Sequence, residues 1–178
     1  MDLYIVRHGE TDANKNGVVQ GWVDTTLNAK GIKQAKEVAM GFSKPIDAIF
    51  SSDLQRASKT ASFFREKYPD IPYKEDERLR ERNFGDAGGQ HRDTYDWEGF
   101  WASSEDISTI PNAETLRDFT NRLREFLEYL KTTGYSSVLL VTHGGAINRI
   151  KGIIDPTHEH QTHANASVSH LKLRNEML

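Results

Sequence analysis

The chain has 178 residues, and 23 lysines and arginines against 26 aspartates and glutamates give a formal net charge of −3 at pH 7. A general nucleic-acid surface would be basic, and a chain without cysteine has neither disulfides nor thiolate chemistry. No apolar run approaches the length of a membrane span, and because the sequence starts directly with a strand-like run we expect no signal peptide. We therefore expect a single cytoplasmic domain over residues 1–178, with no nucleic-acid or membrane partner.

The first predicted element is a buried strand over residues 3–6, a β-rich apolar run that leads directly into Arg7, His8 and Gly9. A buried charge is costly unless it is paired or faces a ligand, and ligands of α/β sheets bind at strand ends. Gly9 permits a sharp turn or a close ligand, and an arginine forks onto phosphate oxygens. The stretch therefore indicates a phosphate site, although a surface turn explains it equally well by itself.

Strands and helices then alternate along the chain. Apolar residues at helical spacing predict helices over residues 29–42, 54–68, 111–133 and 146–153. Short apolar or alternating runs predict further strands at 46–50, 71–73, 138–141 and 167–173, the one at 71–73 lying at an edge because it contains a proline. This order predicts an α/β fold of three layers (α/β/α), with a largely parallel central sheet and helices on both of its faces.

Residues 86–112 lack a regular pattern, apart from a short helix near residues 94–102. The segment contains two consecutive glycines and an aromatic run, Tyr95, Trp97, Phe100 and Trp101. We interpret it as a lid or cap. Its aromatic side chains either pack the lid onto the sheet or contact substrate, and the sequence leaves both readings open.

A second histidine repeats the pattern of the first. The apolar run at 138–141 leads into His143, Gly144 and Gly145. Because the carboxyl ends of parallel strands meet at the same edge of a sheet, we expect the imidazoles of His8 and His143 to meet there.

Five ordered segments resemble the motifs of the histidine phosphatase superfamily, whose fold is phosphoglycerate mutase-like, and the resemblance covers nearly the whole chain. They are RHGET at 7–11, SSDLQRA at 51–57, LRERNFG at 79–85, PNAET at 111–115 and VTHGG at 141–145, with a matching loop around residues 14–31. One departure follows the third segment. After Asp86 many members continue Trp-Glu-Gly, whereas this chain has Ala87, Gly88 and Gly89.

The resemblance implies phosphoryl transfer through a phosphohistidine. His8 would be the nucleophile, because neutral imidazole is nucleophilic near neutral pH. Arg7, Arg56 and His143 would stabilise the transferring phosphoryl group, so that no metal and no other cofactor is needed. Glu81 would protonate the leaving alcohol and then take a proton from the attacking water. Judged alone, Arg56 reads as a surface helix residue and Glu81 as part of a solvated charge run.

Five more residues are predicted to bind substrate. Asn14 and Gln20 would hydrogen-bond phosphate or substrate from the loop after the first strand, with Gly21 beside them, although Asn14 and Gln20 also suit an ordinary turn. Gly144 follows the second histidine of the site. Arg82 is a candidate for holding a second phosphate group.

A histidine-rich tract contains His158, His160 and His163. Such a tract either binds a metal or forms a solvated loop. We favour the loop, because the spacing matches no clear metal-binding pattern.

The predicted function is a phosphoric monoester hydrolase that acts on small phosphate monoesters as a monomer or homodimer. Hydrolysis is preferred because the chain is shorter than the family's mutases, which carry longer insertions and extra basic residues around the site. A cofactor-dependent phosphoglycerate mutase and a non-catalytic phospholigand-binding module are the two alternatives.

Overall fold

A five-stranded sheet in the order β3-β2-β4-β1-β5 forms the centre of the molecule. The computed structural model describes residues 1–102 and 105–174, and the side chain of Trp101 falls outside this description. The strands are β1 (Asp2–Arg7), β2 (Ala48–Ser51), β3 (Tyr73–Glu75), β4 (Ser137–Thr142) and β5 (Val168–Lys172). Neighbouring strands from β3 to β1 pair in parallel, and β5 pairs antiparallel with β1 at one edge. The predicted, largely parallel sheet is confirmed.

Helices cover both faces of this sheet. The described ranges contain α1 (Asp12–Lys15), α2 (Ala29–Gly41), α3 (Gln55–Lys67), α4 (Trp97–Ala102), α5 (Leu116–Thr132) and α6 (Gly144–Ile154), of which α2, α3, α5 and α6 cover the sheet. One core cluster joins α2 and α3 to the sheet, and the other joins α5 and α6 to its opposite face. The predicted three-layer α/β/α architecture is therefore confirmed. None of the helices within the described ranges is both long and apolar enough to cross a membrane.

The two central strands place the candidate site. Strand β1 runs beside β4 in a register that sets Arg7 opposite Thr142. The residues that follow each strand, His8 and His143, consequently emerge side by side at the carboxyl edge of the sheet, where α/β proteins bind ligands.

Helix α5 begins at Leu116, five residues later than the predicted start at residue 111. Thr115 is the N-cap, since its hydroxyl accepts a hydrogen bond from the backbone N–H of Asp118 at 3.1 Å. Asn112 has φ of 59°, which no right-handed helix accommodates. Proline at 111 was thus a poor signal for the helix start, and the capping threonine was the better one.

The third strand and the first short helix also differ from the sequence prediction. The third strand lies at Tyr73–Glu75 instead of 71–73, because Pro72, which has no N–H, contributes only its carbonyl, to the N–H of Ile49 at 2.8 Å. The short helix α1 was not predicted. It forms because Thr11 and Asn14 close a capping box within what reads as a polar loop.

Residues 86–102 and 105–112 form a small structure of their own. Two 3-10 turns and α4 surround a cluster of Ala87, Phe100 and Ile110, and the Phe84 and Trp97 rings pack beside it. The Trp97 ring meets the Phe100 ring edge-on, with centroids 5.6 Å apart. The described aromatic side chains of this segment therefore pack chiefly on one another.

Candidate active site

A cavity of about 390 Å³ opens where β1 and β4 end. The predicted site residues that line it are Arg7, His8, Asn14, Gln20, Gly21, Arg56, Glu81 and Gly144. His143 lies directly behind this wall, and its ring centroid is 5.1 Å from that of His8. The structure thus brings residues from six separate stretches of sequence to one place.

His8 is held neutral with a defined tautomer. Its Nδ1 lies 2.7 Å from the carbonyl oxygen of Gly9, and because a carbonyl only accepts, Nδ1 must carry the hydrogen. The side chain is only 3% exposed, and burial, with the charges of Arg56 and Arg7, holds the pKa of His8 well below its usual value. The unprotonated Nε2 is left with a lone pair, as a nitrogen nucleophile requires.

The second histidine, His143, is positioned through a serine. Its Nε2 lies 2.9 Å from Oγ of Ser52, and that oxygen also accepts the N–H of Leu54 at 3.3 Å. The serine hydrogen is therefore available to Nε2, which favours the tautomer with hydrogen on Nδ1. Burial is the main cause that holds the pKa of His143 well below its usual value, so this ring is also neutral.

Two arginines flank the histidines. Arg56, 1% exposed, donates to the carbonyl oxygens of Gly21 at 2.7 Å and Val23 at 3.0 Å. Burial lowers the pKa of Arg56 to about 10, so it stays charged at neutral pH. Arg7 donates from Nη1 to the carbonyl oxygen of His163. These bonds to main-chain oxygens fix both guanidinium groups without neutralising them.

Three buried nitrogens around His8 have no hydrogen-bond partner within the described ranges. They are Nε of Arg7, Nε of Arg56 and Nδ1 of His143. Buried polar atoms in folded proteins are nearly always paired, so several unpaired ones in one place require an explanation. All three can donate to the oxygens of a tetrahedral oxyanion, and such an arrangement stabilises the charge of a transferring phosphoryl group.

Glu81 is anchored at the wall of the cavity. Its Oε2 accepts the N–H of Gly145 at 2.9 Å, and its Oε1 accepts the N–H of Arg82 at 2.9 Å. A Cβ at position 145 would lie 2.3 Å from Oε1 of Glu81, so only glycine lets the carboxylate approach this closely. Residue 145 therefore contributes to the site by its lack of a side chain.

The main chain of Glu81 is fixed as well. Its carbonyl oxygen accepts from Nε1 of Trp22 and from Nη2 of Arg122, each at 2.7 Å. Arg122 in turn forks onto the carboxylate of Glu114, at 2.6 and 2.9 Å. The segment around Glu114 thus supports Glu81 from behind.

The neighbouring arginines do not form a solvated charge run. Arg78 pairs with Asp76, and Arg80 pairs with Asp53. Arg82 is 2% exposed, donates from Nε to the carbonyl oxygen of Glu114 at 2.9 Å, and lines an adjoining cavity instead of the one around His8. Of the ten predicted site residues, Arg82 is therefore the one set apart from the others.

Asn14 and Gln20 present amide groups to the cavity. The amide oxygen of Asn14 accepts the N–H of Thr11 at 3.1 Å, and that of Gln20 accepts the hydroxyl of Thr11 at 2.8 Å. Neither amide nitrogen has a partner within the described part of the chain, so both remain able to donate to a ligand. Gly21 contributes its carbonyl to Arg56 and has φ of 51°, which favours glycine.

Sequence reasoning missed two supporting residues. Ser52 follows the end of β2, so the strand-end rule that identified His8 and His143 would also have identified it. Asn165, just before β5, donates from Nδ2 to the carbonyl oxygen of His8 at 3.1 Å. The two residues are 157 positions apart in the sequence, so only the folded structure reveals this contact.

The histidine-rich tract is a loop organised by one amide. Oδ1 of Asn148 lies within hydrogen-bonding distance of Nε2 of His158 (3.2 Å), Nε2 of His163 (3.3 Å) and the N–H of Gln161 (3.0 Å). Within the described ranges no group of three or more His, Cys, Asp or Glu side chains is arranged to hold a metal ion. The loop carries His163, whose carbonyl orients Arg7, up to the wall of the cavity.

Comparison with known proteins gives consistent matches. A family model described as the histidine phosphatase superfamily (branch 1) matches residues 3–177. A putative phosphoserine phosphatase 2 of Hydrogenobacter thermophilus is 35% identical over 158 residues, covering 83% of this chain and 75% of the relative. A metal-independent phosphoserine phosphatase of Arabidopsis thaliana is 30% identical over 187 residues, covering 98% and 77%. The crystal structure of a phosphoglycerate mutase from Thermus thermophilus superposes with a TM-score of 0.80 at 30% identity, covering 100% of this chain and 96% of that one.

Proposed function

Because this chain belongs to the histidine phosphatase superfamily, we propose that it is a metal-independent phosphatase that hydrolyses small phosphate monoesters through a phosphohistidine on His8. The single observation that carries the proposal is the trio of buried, unpartnered nitrogens of Arg7, Arg56 and His143 around a neutral imidazole. A phosphoryl group in the cavity would give each nitrogen an oxygen to bind. The names of the phosphatase relatives support the same reaction class.

The first step forms a bond between Nε2 of His8 and phosphorus. The hydrogen bond from Nδ1 to the carbonyl of Gly9 keeps the lone pair on Nε2. As the bond from phosphorus to the leaving oxygen breaks, a proton on the Glu81 carboxyl passes to that oxygen, and the alcohol departs. Arg7 and Arg56 remain bound to main-chain carbonyls throughout, so their charges need no rearrangement as the transition state forms.

The second step reverses these roles. Water attacks phosphorus, the bond from phosphorus to Nε2 breaks, and the Glu81 carboxylate takes the proton of the water. Inorganic phosphate leaves, and His8 and Glu81 return to their starting states. Asn14, Gln20 and Gly144 would hold phosphate oxygens during both steps, and residues 86–112 would act as the lid that limits entry of water.

A phosphoglycerate mutase is the second candidate, since the superposed Thermus protein carries that name. A mutase would return the phosphoryl group of the phosphohistidine to a second hydroxyl of the bound acid, where a phosphatase gives it to water. The decisive assay follows 3-phosphoglycerate with 2,3-bisphosphoglycerate present. Fast conversion to 2-phosphoglycerate with little phosphate release would replace the phosphatase proposal by the mutase.

The direct test uses p-nitrophenyl phosphate with EDTA present, from pH 5 to pH 7.5. We expect turnover in the chelator, and we expect radiolabel from a ³²P-monoester to be trapped on the protein as an acid-labile, base-stable adduct, as a phosphohistidine is. A chain that binds phosphate but gives neither turnover nor adduct would be the phospholigand-binding module instead.

A further inference from the structure

A second cavity, of about 230 Å³, adjoins the cavity around His8. The two cavities share Glu81, Phe84, Gly145, Asn148 and His160 in their walls. Glu81, the proposed proton donor to the leaving oxygen, therefore stands where they meet. The organic part of a phosphate monoester lies beyond the leaving oxygen as seen from phosphorus, so the second cavity is placed to receive it.

One face of α6 forms a wall of this second cavity. Its lining residues Gly145, Asn148, Arg149 and Gly152 are spaced i, i+3, i+4 and i+7, which puts them on one side of the helix. The N–H of Gly145 holds the Glu81 carboxylate, and Arg149 follows four residues later, about 6 Å along the helix axis. A long side chain there can reach a group two or three carbons from the leaving oxygen.

Arg149 has the features of an anion-binding residue. It is half-buried, and within the described ranges no hydrogen bond or ion pair engages its guanidinium. Burial lowers the pKa of Arg149, Glu105 offsets part of that shift, and Arg124 adds to it. A partly desolvated cation that no hydrogen bond or ion pair engages is unfavourable, and an anionic ligand would relieve that cost with bidentate hydrogen bonds.

The rest of the wall favours a small anion with a single charge. Leu116 and Phe119 supply apolar surface, and Arg82 adds a guanidinium whose Nε is already bound to the carbonyl oxygen of Glu114. A carboxylate carries one negative charge, which a single guanidinium matches, whereas a second phosphate carries about −1.5 to −2 at pH 7. A carboxylate on a short carbon chain matches this combination of one available guanidinium fork and apolar walls.

Resting on the proposed phosphatase function, we propose that Arg149 binds a carboxylate carried by the leaving alcohol. Short phosphorylated hydroxy acids would then be preferred over phosphate monoesters whose alcohol has the same length but carries no charge. The site is a specificity subsite on α6, separate from the phosphate-binding nitrogens of the first cavity.

The test compares two substrates that differ only at the proposed contact. 3-Phosphoglycerate carries a carboxylate where glycerol 3-phosphate carries a hydroxymethyl group. We expect the full chain to prefer 3-phosphoglycerate in kcat/KM by at least about tenfold, as one charge-assisted contact implies. Arg149→Gln should reduce this ratio by about tenfold, mainly through KM for 3-phosphoglycerate, and Arg149→Lys should restore part of it.

The matched control is Arg124→Gln, which removes an exposed charge near Arg149 that does not line the cavity. Arg124→Gln should leave the ratio of kcat/KM for the two substrates within about twofold of that of the unaltered chain. If Arg124→Gln reduced this ratio as much as Arg149→Gln does, the effect would be a general electrostatic one and the proposal would be overturned. An unchanged ratio in Arg149→Gln would overturn it too. Thermal melting of each variant identifies any loss of folding, and then Arg149→Lys carries the comparison.

Binding separates this proposal from the proposed function. Calorimetry on the His8→Ala chain, with and without Arg149→Gln, measures the affinity for both ligands in the absence of turnover. Preference for 3-phosphoglycerate that depends on Arg149, together with no hydrolysis of any monoester by the chain that retains His8, would retain the subsite and reject the phosphatase. Hydrolysis of p-nitrophenyl phosphate without such a preference would retain the phosphatase and reject the subsite.

Discussion

Two regions that border the cavity are built in different ways. The pocket floor consists of Arg7, His8, Arg56 and His143, which follow or flank strand ends. The segment of residues 86–112 is irregular and has its own small aromatic cluster. In the floor, buried polar groups are fixed by bonds to the main chain of the sheet and its loops, whereas in the segment apolar rings pack and the acids face water.

The difference shows which region of the molecule holds functional groups in precise positions. The floor aims charged and polar atoms at one point, which requires that the rigid central strands position them. The 86–112 segment borders the cavity through two described residues, Arg92 and Trp97, so it shapes access more than chemistry. Substitutions in the floor should therefore change the rate of the chemical step, and substitutions in the segment should change stability and entry.

The largest contrast is expected between a histidine of the floor and one of the segment. His8→Ala removes the nucleophile, so turnover of p-nitrophenyl phosphate and the trapped phosphoenzyme should fall at least about a thousandfold. His91→Ala removes an exposed histidine of the 86–112 segment and should change turnover by no more than a few fold. Residual activity of His8→Ala above about one part in a thousand would contradict a phosphohistidine mechanism.

Glu81→Gln should distinguish a chemical role from a structural one. Loss of the proton donor should slow alkyl phosphates by about 10²–10⁴-fold, and an aryl phosphate, whose leaving group needs less protonation, should lose less. Glutamine has one acceptor oxygen, so the backbone N–H of either Gly145 or Arg82 would lose its acceptor. Some loss of activity is therefore expected with alkyl and aryl phosphates alike. The ratio between alkyl and aryl losses is the informative quantity, and a ratio near one would remove the acid role from Glu81.

The sequence predicted that the floor residues would lie together, because their positions obey local rules. A histidine directly after an apolar run must leave a strand end, and two parallel strands bring two such histidines together. Arg56 and Glu81 needed the family resemblance, since each reads as an ordinary charged surface residue. Their burial depends on main-chain carbonyls and a glycine N–H that are far away in sequence.

Other features could not be predicted, since their effect depends on tertiary neighbours. Asn148 and Arg149 read as polar residues of an amphipathic helix, and only the path of the 158–163 loop reveals what they face. Arg82 was a candidate for holding a second phosphate, and its side chain donates to the carbonyl oxygen of Glu114 and lines the second cavity instead of the one around His8. The aromatic run illustrates the same point, because pairing among the rings is invisible in the sequence.

Phe100→Ala should test whether the 86–112 segment is stabilised separately from the sheet. Phe100 is 1% exposed and packs on Phe84 and Trp97, so its truncation should cost about 3 kcal/mol of local stability. Hydrogen exchange should show faster exchange of the amides of residues 85–112, with little change in β1 and β4. The comparison variant, Leu127→Ala in the sheet-side core, should accelerate exchange everywhere. Uniform loss of protection in Phe100→Ala would mean that the two regions unfold as one unit.

The smallest effect concerns the acid stability of the loop that supports the floor. Burial lowers the pKa of His163 to about 4, and the charges of Lys151, Arg7 and His158 act in the same direction. The unfolded chain takes up this proton near pH 6.5 and the folded chain only near pH 4, so the stability present above pH 6.5 is lost as pH falls through this window. His163→Gln removes this titratable group. The free energy of unfolding of the variant should therefore fall less steeply with falling pH than that of the unaltered chain, by about 1.4 kcal/mol per pH unit between about pH 6 and pH 4.5. Urea unfolding of both chains at several pH values measures the difference, and parallel curves would show that His163 is protonated equally in the folded and unfolded states.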